Sequence, residues 1–195
     1  LNGFPLIVME LKNQFTNQNV YNAIKQFKED RNPKESMFEF NRRVLVYFAV
    51  DTDEVYMTTE LKGKNTYFLP FNKGNNRGKG NPPVEGKEKT SYLWEEILTK
   101  DSLLDIVKRF YFIEKDGTKD RRAIFPRFHQ LDAVRKIVSD LKINKAGKNY
   151  LIQHSAGSGK TNTIAWTAHR LSSLHDENND AIFDSVIVVT DRKVL

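Results

Sequence analysis

A chain of 195 residues has room for one large or two small domains, and 39% hydrophobic with 11% aromatic content suffices for packed cores. No apolar run approaches the length of a bilayer span, no signal-like N-terminus opens the chain, and the absence of cysteine removes disulfides and thiolate metal sites, so a cytoplasmic protein is expected. The net charge of +6 favours polyanionic partners, although an ordinary basic soluble protein carries as much.

The chain starts Leu1-Asn2-Gly3 without a Met and stops at Val194-Leu195 just past an apolar run, which reads as an internal fragment. Phe4 to Leu11 is apolar apart from Glu10 and reads as a buried strand, with Asn2-Gly3 as a turn before it. Alternation places Glu10 and Lys12 on one face. An acid and a lysine at a strand end suit a divalent metal, with the carboxylate and the Leu11 carbonyl as ligands and the lysine on the attacking water. A surface ion pair at a frayed end is the plainer alternative. Residues 17–30 carry Val20, Tyr21, Ile24 and Phe27 at helical spacing, with Asn17 as the expected cap.

Residues 44–50 and 55–59 read as an antiparallel hairpin, and 66–71 as a further strand. Asp51, Asp53 and Glu54 in the connection are expected to form a turn rather than a metal cluster. Residues 72–89 are rich in Gly, Asn, Pro and Lys and read as a long basic loop, either solvated or touching DNA phosphates. Leu93 to Tyr111 carries helical spacing, with Asp101 as a cap between two helices. Residues 113–120 form a polar turn and mark a domain boundary.

After a short β-like stretch at 122–125, a helix is expected with Leu131, Val134, Ile137, Val138 and Leu141 facing inward. Gln130 at its start carries an amide that can pair with an adenine edge. Asn149 to Thr161 then joins an apolar strand-like run to a small-residue turn, Lys160-Thr161 and a helix. This is the form of a phosphate-binding loop: backbone N–H groups curl around phosphates, Lys160 reaches the β- and γ-phosphates and the Thr161 hydroxyl joins Mg²⁺. His154 stands where the motif's first glycine is usual, but Gly157 to Thr161 are intact. The following helix is expected to bury Ile164, Ala165, Ala168 and Leu171, and residues 185–192 to form a parallel strand completing a βαβ unit.

In this order, Gly3 to Lys12, Phe48 to Thr59, Phe125 to Gln130, Gln153 to Thr161 and Val188 to Arg192 resemble the motor/nuclease (R) subunit of type I restriction enzymes. The resemblance spans nearly the whole chain. It implies an α/β fold: a mixed-sheet restriction-endonuclease-like domain over 1–112 lacking its N-terminal part, a linker at 113–120, and a partial RecA-like parallel α/β motor domain over 121–195. Glu10 and Lys12 correspond to the acid and lysine of the PD-(D/E)xK nuclease motif, with Glu10 and Leu11 on Mg²⁺; the motif's first acid would lie upstream of residue 1. The family's Gln-x-x-x-Tyr falls at Ala23 and Phe27, where neither residue matches, and Gln26 is expected to face elsewhere on the helix. Gln130, Ala156, Gly157, Ser158, Gly159, Lys160 and Thr161 would bind ATP, Thr161 through Mg²⁺, and Arg192 would contact DNA.

The activity implied is ATP-driven translocation of double-stranded DNA followed by Mg²⁺-dependent cleavage, with methyltransferase and specificity subunits as partners and no membrane. The Walker-B acids and the second motor lobe lie outside the sequence, so the fragment alone is expected to be inactive. Two other readings stay open at this stage: a DNA-repair helicase–nuclease, and a non-catalytic DNA- or ATP-binding relative.

Overall fold

The strand β2 (Val46–Val50) is buried along its whole length, and the first part of the chain is built around it. Its residues alternate between two covered faces, which is why the sequence there is continuously apolar rather than alternating. Strand β1 (Ile7–Leu11) pairs with it in parallel, with Glu10 opposite Ala49. Strand β3 (Val55–Thr58) pairs with it antiparallel, and the short β4 (Leu69–Pro70) adds to β3. The order β1-β2-β3-β4 is a mixed sheet in a mixed α/β protein. These statements cover the residues that the computed structural model describes, 3–76, 78–117 and 120–190. The chain divides into two units, Leu1–Arg127 and Phe128–Leu195.

Among the described residues β1 is an edge strand, not the buried one expected. Phe4, Met9 and Leu11 are exposed. An apolar run marks a chain segment as sheet-forming, but the neighbours on either side decide which strand is central.

Helix α1 (Val20–Glu29) lies in the crossover from β1 to β2 and packs Val20, Ala23 and Phe27 onto the face that carries Tyr47 and Ala49. The Phe27 ring lies 5.8 Å from that of Tyr47 and 5.7 Å from that of Phe68. Burying a phenylalanine this fully contributes roughly 1.5–3 kcal/mol. Asn19, not Asn17, caps the helix, in a capping box shared with Asn22. Asn17 takes a left-handed conformation (φ 53°) and closes a 3₁₀ turn at Gln14–Thr16. The opposite face of the sheet is aromatic: Phe48 packs edge-on against Phe71 and Phe125, at 5.3 Å and 6.0 Å between centroids.

The expected helical stretch after the basic loop forms a π-type turn, Leu93–Ile97, and α2 (Lys100–Arg109). Thr99 takes the cap position, and Asp101 sits in the first turn. Strands β5 (Phe112–Asp116) and β6 (Asp120–Ile124) pair antiparallel. The hairpin is counted in the first unit, where the Thr59 hydroxyl donates to the Ala123 carbonyl at 2.8 Å. The basic loop 72–89 is tied down at its buried Asn81, whose amide donates to the carbonyl of Asp53 and whose oxygen accepts from the Lys73 N–H.

The second unit contains α3 (Phe128–Asn144) and α4 (Lys160–Ser172). α3 buries Leu131, Val134, Ile137, Val138 and Leu141 as its periodicity predicts. α4 does not follow the expected face: Thr163 and Trp166 are buried, while Ile164 is 46% exposed and Ala165 is exposed. The cause is the sheet. Neither 149–154 nor 185–190 enters a β-ladder among the described residues, so the face of α4 meant for a sheet is uncovered. Strand backbone needs a hydrogen-bonding neighbour; without one, Leu151, Ile187 and Val189 are more than four-fifths exposed. Arg192 lies outside the described residues. No helix among the described residues is long and apolar enough to cross a membrane.

Candidate functional site

In the first unit the parallel pairing of β1 with β2 places Glu10 and, one residue past the strand, Lys12 on the same side. Lys12 Nζ donates to Glu10 Oε1 at 3.1 Å and to Gln26 Oε1 at 2.7 Å. The other carboxylate oxygen, Glu10 Oε2, accepts from Arg31 Nη2 at 3.1 Å. The Glu10 and Lys12 side chains are only 17% and 12% exposed, so this is no frayed surface pair. A charged pair so shielded is retained only with further hydrogen bonds, and Gln26 supplies one.

Gln26 therefore does not face elsewhere on α1, as its helical phase suggested. It stands one position before Phe27, whose ring is buried against the sheet, and its longer side chain reaches back over the end of β1. Gln26 and Arg31 are the residues that sequence reasoning missed. Their signal is the helix that follows the acid–lysine strand: Gln26 and Arg31 bracket its last turn.

No group of three or more His, Cys, Asp or Glu gathers at a point among the described residues. The donor set for a cation is thus one carboxylate, Glu10, with the Leu11 carbonyl beside it in sequence. That set fits Mg²⁺, which keeps several waters and completes its shell with substrate phosphate rather than with an all-protein cage. The acid-rich turn is structural. Asp51 accepts from the N–H groups of Val20, Asp53 and Glu54, joining the β2–β3 turn to the start of α1.

In the second unit the glycine turn leads directly into α4. Gly157 (φ +71°) and Gly159 (φ +81°) hold left-handed backbone that other residues adopt only under strain. Gly159 is the cap of α4 and, having no side chain, leaves the first-turn N–H groups without a side-chain cap bond. Lys160 Nζ is folded onto the loop and donates to the carbonyls of His154 and Ser155 at 3.2 Å and 2.9 Å. Lys160, Thr161, Ala156 and Gly157 are exposed, whereas Ser158 is buried.

Gln130, 3% exposed at the start of α3, reaches the same loop. Its Nε2 donates to the Gly159 carbonyl at 2.8 Å and to the Ser158 carbonyl at 3.3 Å. His129 Nε2 donates to the Ser158 carbonyl at 3.1 Å, and its ring stands edge-on to that of His154 at 4.7 Å. His154, in the place of the usual glycine, thus packs on α3 through an aromatic contact. The structure brings Gln130 together with Ser158 and Gly159.

The first unit thus carries an acid–lysine pair at the edge of a mixed sheet, and the second a glycine turn that opens a helix. Comparison with known proteins shows what the chain is similar to. Residues 1–66 match the family described as Type I restriction enzyme R protein N terminus, and residues 129–195 match the SWI2/SNF2 ATPase family. Over its whole length the chain is 28% identical to a putative type I restriction enzyme MjaVIIIP endonuclease subunit of Methanocaldococcus jannaschii, covering 18% of that protein. It is 24% identical, again over its whole length, to the type I restriction enzyme HindI endonuclease subunit of Haemophilus influenzae, covering 18%. A second M. jannaschii relative, named as the putative MjaVIIP endonuclease subunit, is 28% identical over 94% of the chain, which covers 17% of it. The chain therefore spans less than a fifth of the length of these relatives. No solved structure matches it significantly. The chain is thus similar to the type I restriction enzyme R subunits along its length, with a match to the R-protein N-terminal family over residues 1–66 and to the SWI2/SNF2 ATPase family over residues 129–195.

Proposed function

We propose that this chain is the part of a DNA-translocating and DNA-cleaving type I restriction subunit where the nuclease passes into the motor, an ATP-dependent type I site-specific deoxyribonuclease. The observation that carries the reading is the shielded Glu10–Lys12 pair held by Gln26 on the edge of a mixed sheet, in a chain similar end to end to such subunits. The first unit is then restriction-endonuclease-like, and the second is the start of a RecA-like motor domain.

In the nuclease, Glu10 and the Leu11 carbonyl would hold Mg²⁺. A bound Mg²⁺ supplies Lewis acidity to the scissile phosphodiester. Lys12, held by Gln26, orients the attacking water and offsets charge developing on the phosphate. In the motor, Lys160 leaves the His154 and Ser155 carbonyls for the β- and γ-phosphates, and Ala156, Gly157, Ser158 and Gly159 present backbone to them. Thr161 would take its place on the nucleotide's Mg²⁺, and Gln130 would release its amide from a loop carbonyl to read the adenine edge. Arg192 contacts the DNA backbone. The partners are double-stranded DNA and the methyltransferase and specificity subunits of a cytoplasmic restriction complex.

The test is DNA cleavage by the intact subunit assembled with its partners, ATP and Mg²⁺. Glu10→Ala and Lys12→Ala should each abolish cutting and leave ATP hydrolysis in place. Lys160→Ala should abolish both. Cleavage at the wild-type rate by Glu10→Ala would overturn the nuclease assignment.

A further inference from the structure

We propose that Arg31 is a second cation of the nuclease site, parked on Glu10 before metal binds and transferred to a DNA phosphate afterwards. The inference rests on the nuclease reading above and extends it to a residue that the acid–lysine motif does not include.

Glu10 is held from both sides, with Lys12 Nζ on Oε1 and Arg31 Nη2 on Oε2, each at 3.1 Å. The two cations are not equivalent. Lys12 has a second anchor, the Gln26 oxygen at 2.7 Å, and remains in place if Glu10 is engaged elsewhere. Arg31 has no hydrogen-bond or ion-pair partner except Glu10 among the described residues. It follows the last turn of α1, beyond the Asp30 cap, and its side chain is 35% exposed against 12% for Lys12. One cation is therefore fixed and the other is tethered by a single contact at the mouth of the site.

A divalent cation on the Glu10 carboxylate competes with Arg31 for the same oxygens and repels the guanidinium at close range. Once displaced, Arg31 meets the phosphate that the metal has brought to the site. A guanidinium is charged at any working pH and its planar fork matches two phosphate oxygens, a geometry that an ammonium cannot offer. In the absence of metal the same contact neutralises Glu10 and keeps its carboxylate at the end of β1. Arg31 thus opposes metal when DNA is absent and favours DNA when metal is present.

The test uses the intact subunit with Arg31→Ala and Arg31→Lys, beside wild type and Glu10→Ala. Mn²⁺ binding is followed by electron paramagnetic resonance without DNA or nucleotide. Binding to a short duplex is followed in Ca²⁺ over a range of salt. Arg31→Ala should bind Mn²⁺ several-fold more tightly than wild type, whereas its duplex affinity should fall and the slope of log K against log salt should shrink by about 1. Arg31→Lys keeps the charge and should restore the slope with weaker affinity. If Glu10→Ala loses Mn²⁺ but Arg31→Ala changes neither Mn²⁺ affinity nor the salt slope, the role of Arg31 is overturned and the nuclease reading stands. If Glu10→Ala binds Mn²⁺ and cuts DNA as wild type does, the nuclease reading falls and takes the proposal with it.

Discussion

A methyl group placed on Gly159 would lie 2.5 Å from Nε2 of Gln130. The same Nε2 donates to the Gly159 carbonyl at 2.8 Å, so the glycine is required twice, by its left-handed backbone and by the amide packed against it. Gly159→Ala should cost roughly 1–3 kcal/mol from backbone strain, added to displacement of the Gln130 side chain. Adding Gln130→Ala should relieve the clash and leave the strain. Calorimetric ATP titration and thermal unfolding of the single and double variants check this. Full ATP affinity in Gly159→Ala would contradict the close packing of loop and amide.

Lys160 presents the opposite case. Its two contacts are with exposed loop carbonyls, and such contacts contribute little to folding. Lys160→Ala should change stability by no more than about 0.5 kcal/mol while removing the charge that, in the proposed function, meets the nucleotide phosphates. ATP binding should be lost with the melting temperature nearly unchanged. A large drop in melting temperature would show that the lysine holds the loop itself.

The local geometry of the two candidate sites was legible in the sequence to different depths. Glu10 and Lys12 share a face because strand period is two, and Leu131 to Leu141 share one because helical spacing is regular. Gln26 and Arg31 were not legible. Their reach depends on where α1 packs across the sheet and on side-chain length, neither of which local periodicity encodes. The buried face of α4 was misread for a related reason. Ile164, Ala165, Ala168 and Leu171 form the more apolar stripe, but burial follows the neighbour present: α4 packs on α3, and its buried residues are Thr163 and Trp166. The strand expected to be buried was β1, yet β2 has covered faces on both sides, because an apolar run does not state its place in the sheet order.

Asp51 gives a third prediction, on stability alone. Its side chain accepts from Val20 N and Asp53 N at 2.8 Å and from Glu54 N at 2.7 Å, and it is 8% exposed. Asp51→Ala leaves three backbone donors in want of acceptors at the junction of the β2–β3 turn and α1. The expected loss is on the order of 3 kcal/mol, from hydrogen bonds to a charged acceptor and the desolvation of their donors. Asp51→Asn keeps acceptor capacity and should lose less. Denaturant unfolding of the two variants checks the order. An alanine variant as stable as wild type would mean that water replaces the carboxylate at no cost.

Alkaline pH gives the last prediction. Burial pushes the Tyr47 phenol up to about 12 from an ordinary 10.0, and its hydroxyl donates to the Phe38 carbonyl at 3.3 Å. Burial raises Tyr92 further still, and its hydroxyl donates to the Phe71 carbonyl at 2.7 Å. A raised phenol pKa means that the folded state keeps its proton where the unfolded state releases it. The stabilisation is complete below pH 10.0 and is lost as pH rises through the folded-state value, so stability should fall steeply above pH 10.0. Tyrosinate absorbance should rise in two stages, the exposed tyrosines first and the burial-raised Tyr47, Tyr56 and Tyr92 only on unfolding. Tyr47→Phe removes one phenol and should flatten the alkaline limb of a plot of unfolding free energy against pH. A single smooth titration of all tyrosines with the fold intact would contradict the burial of Tyr47 and Tyr92.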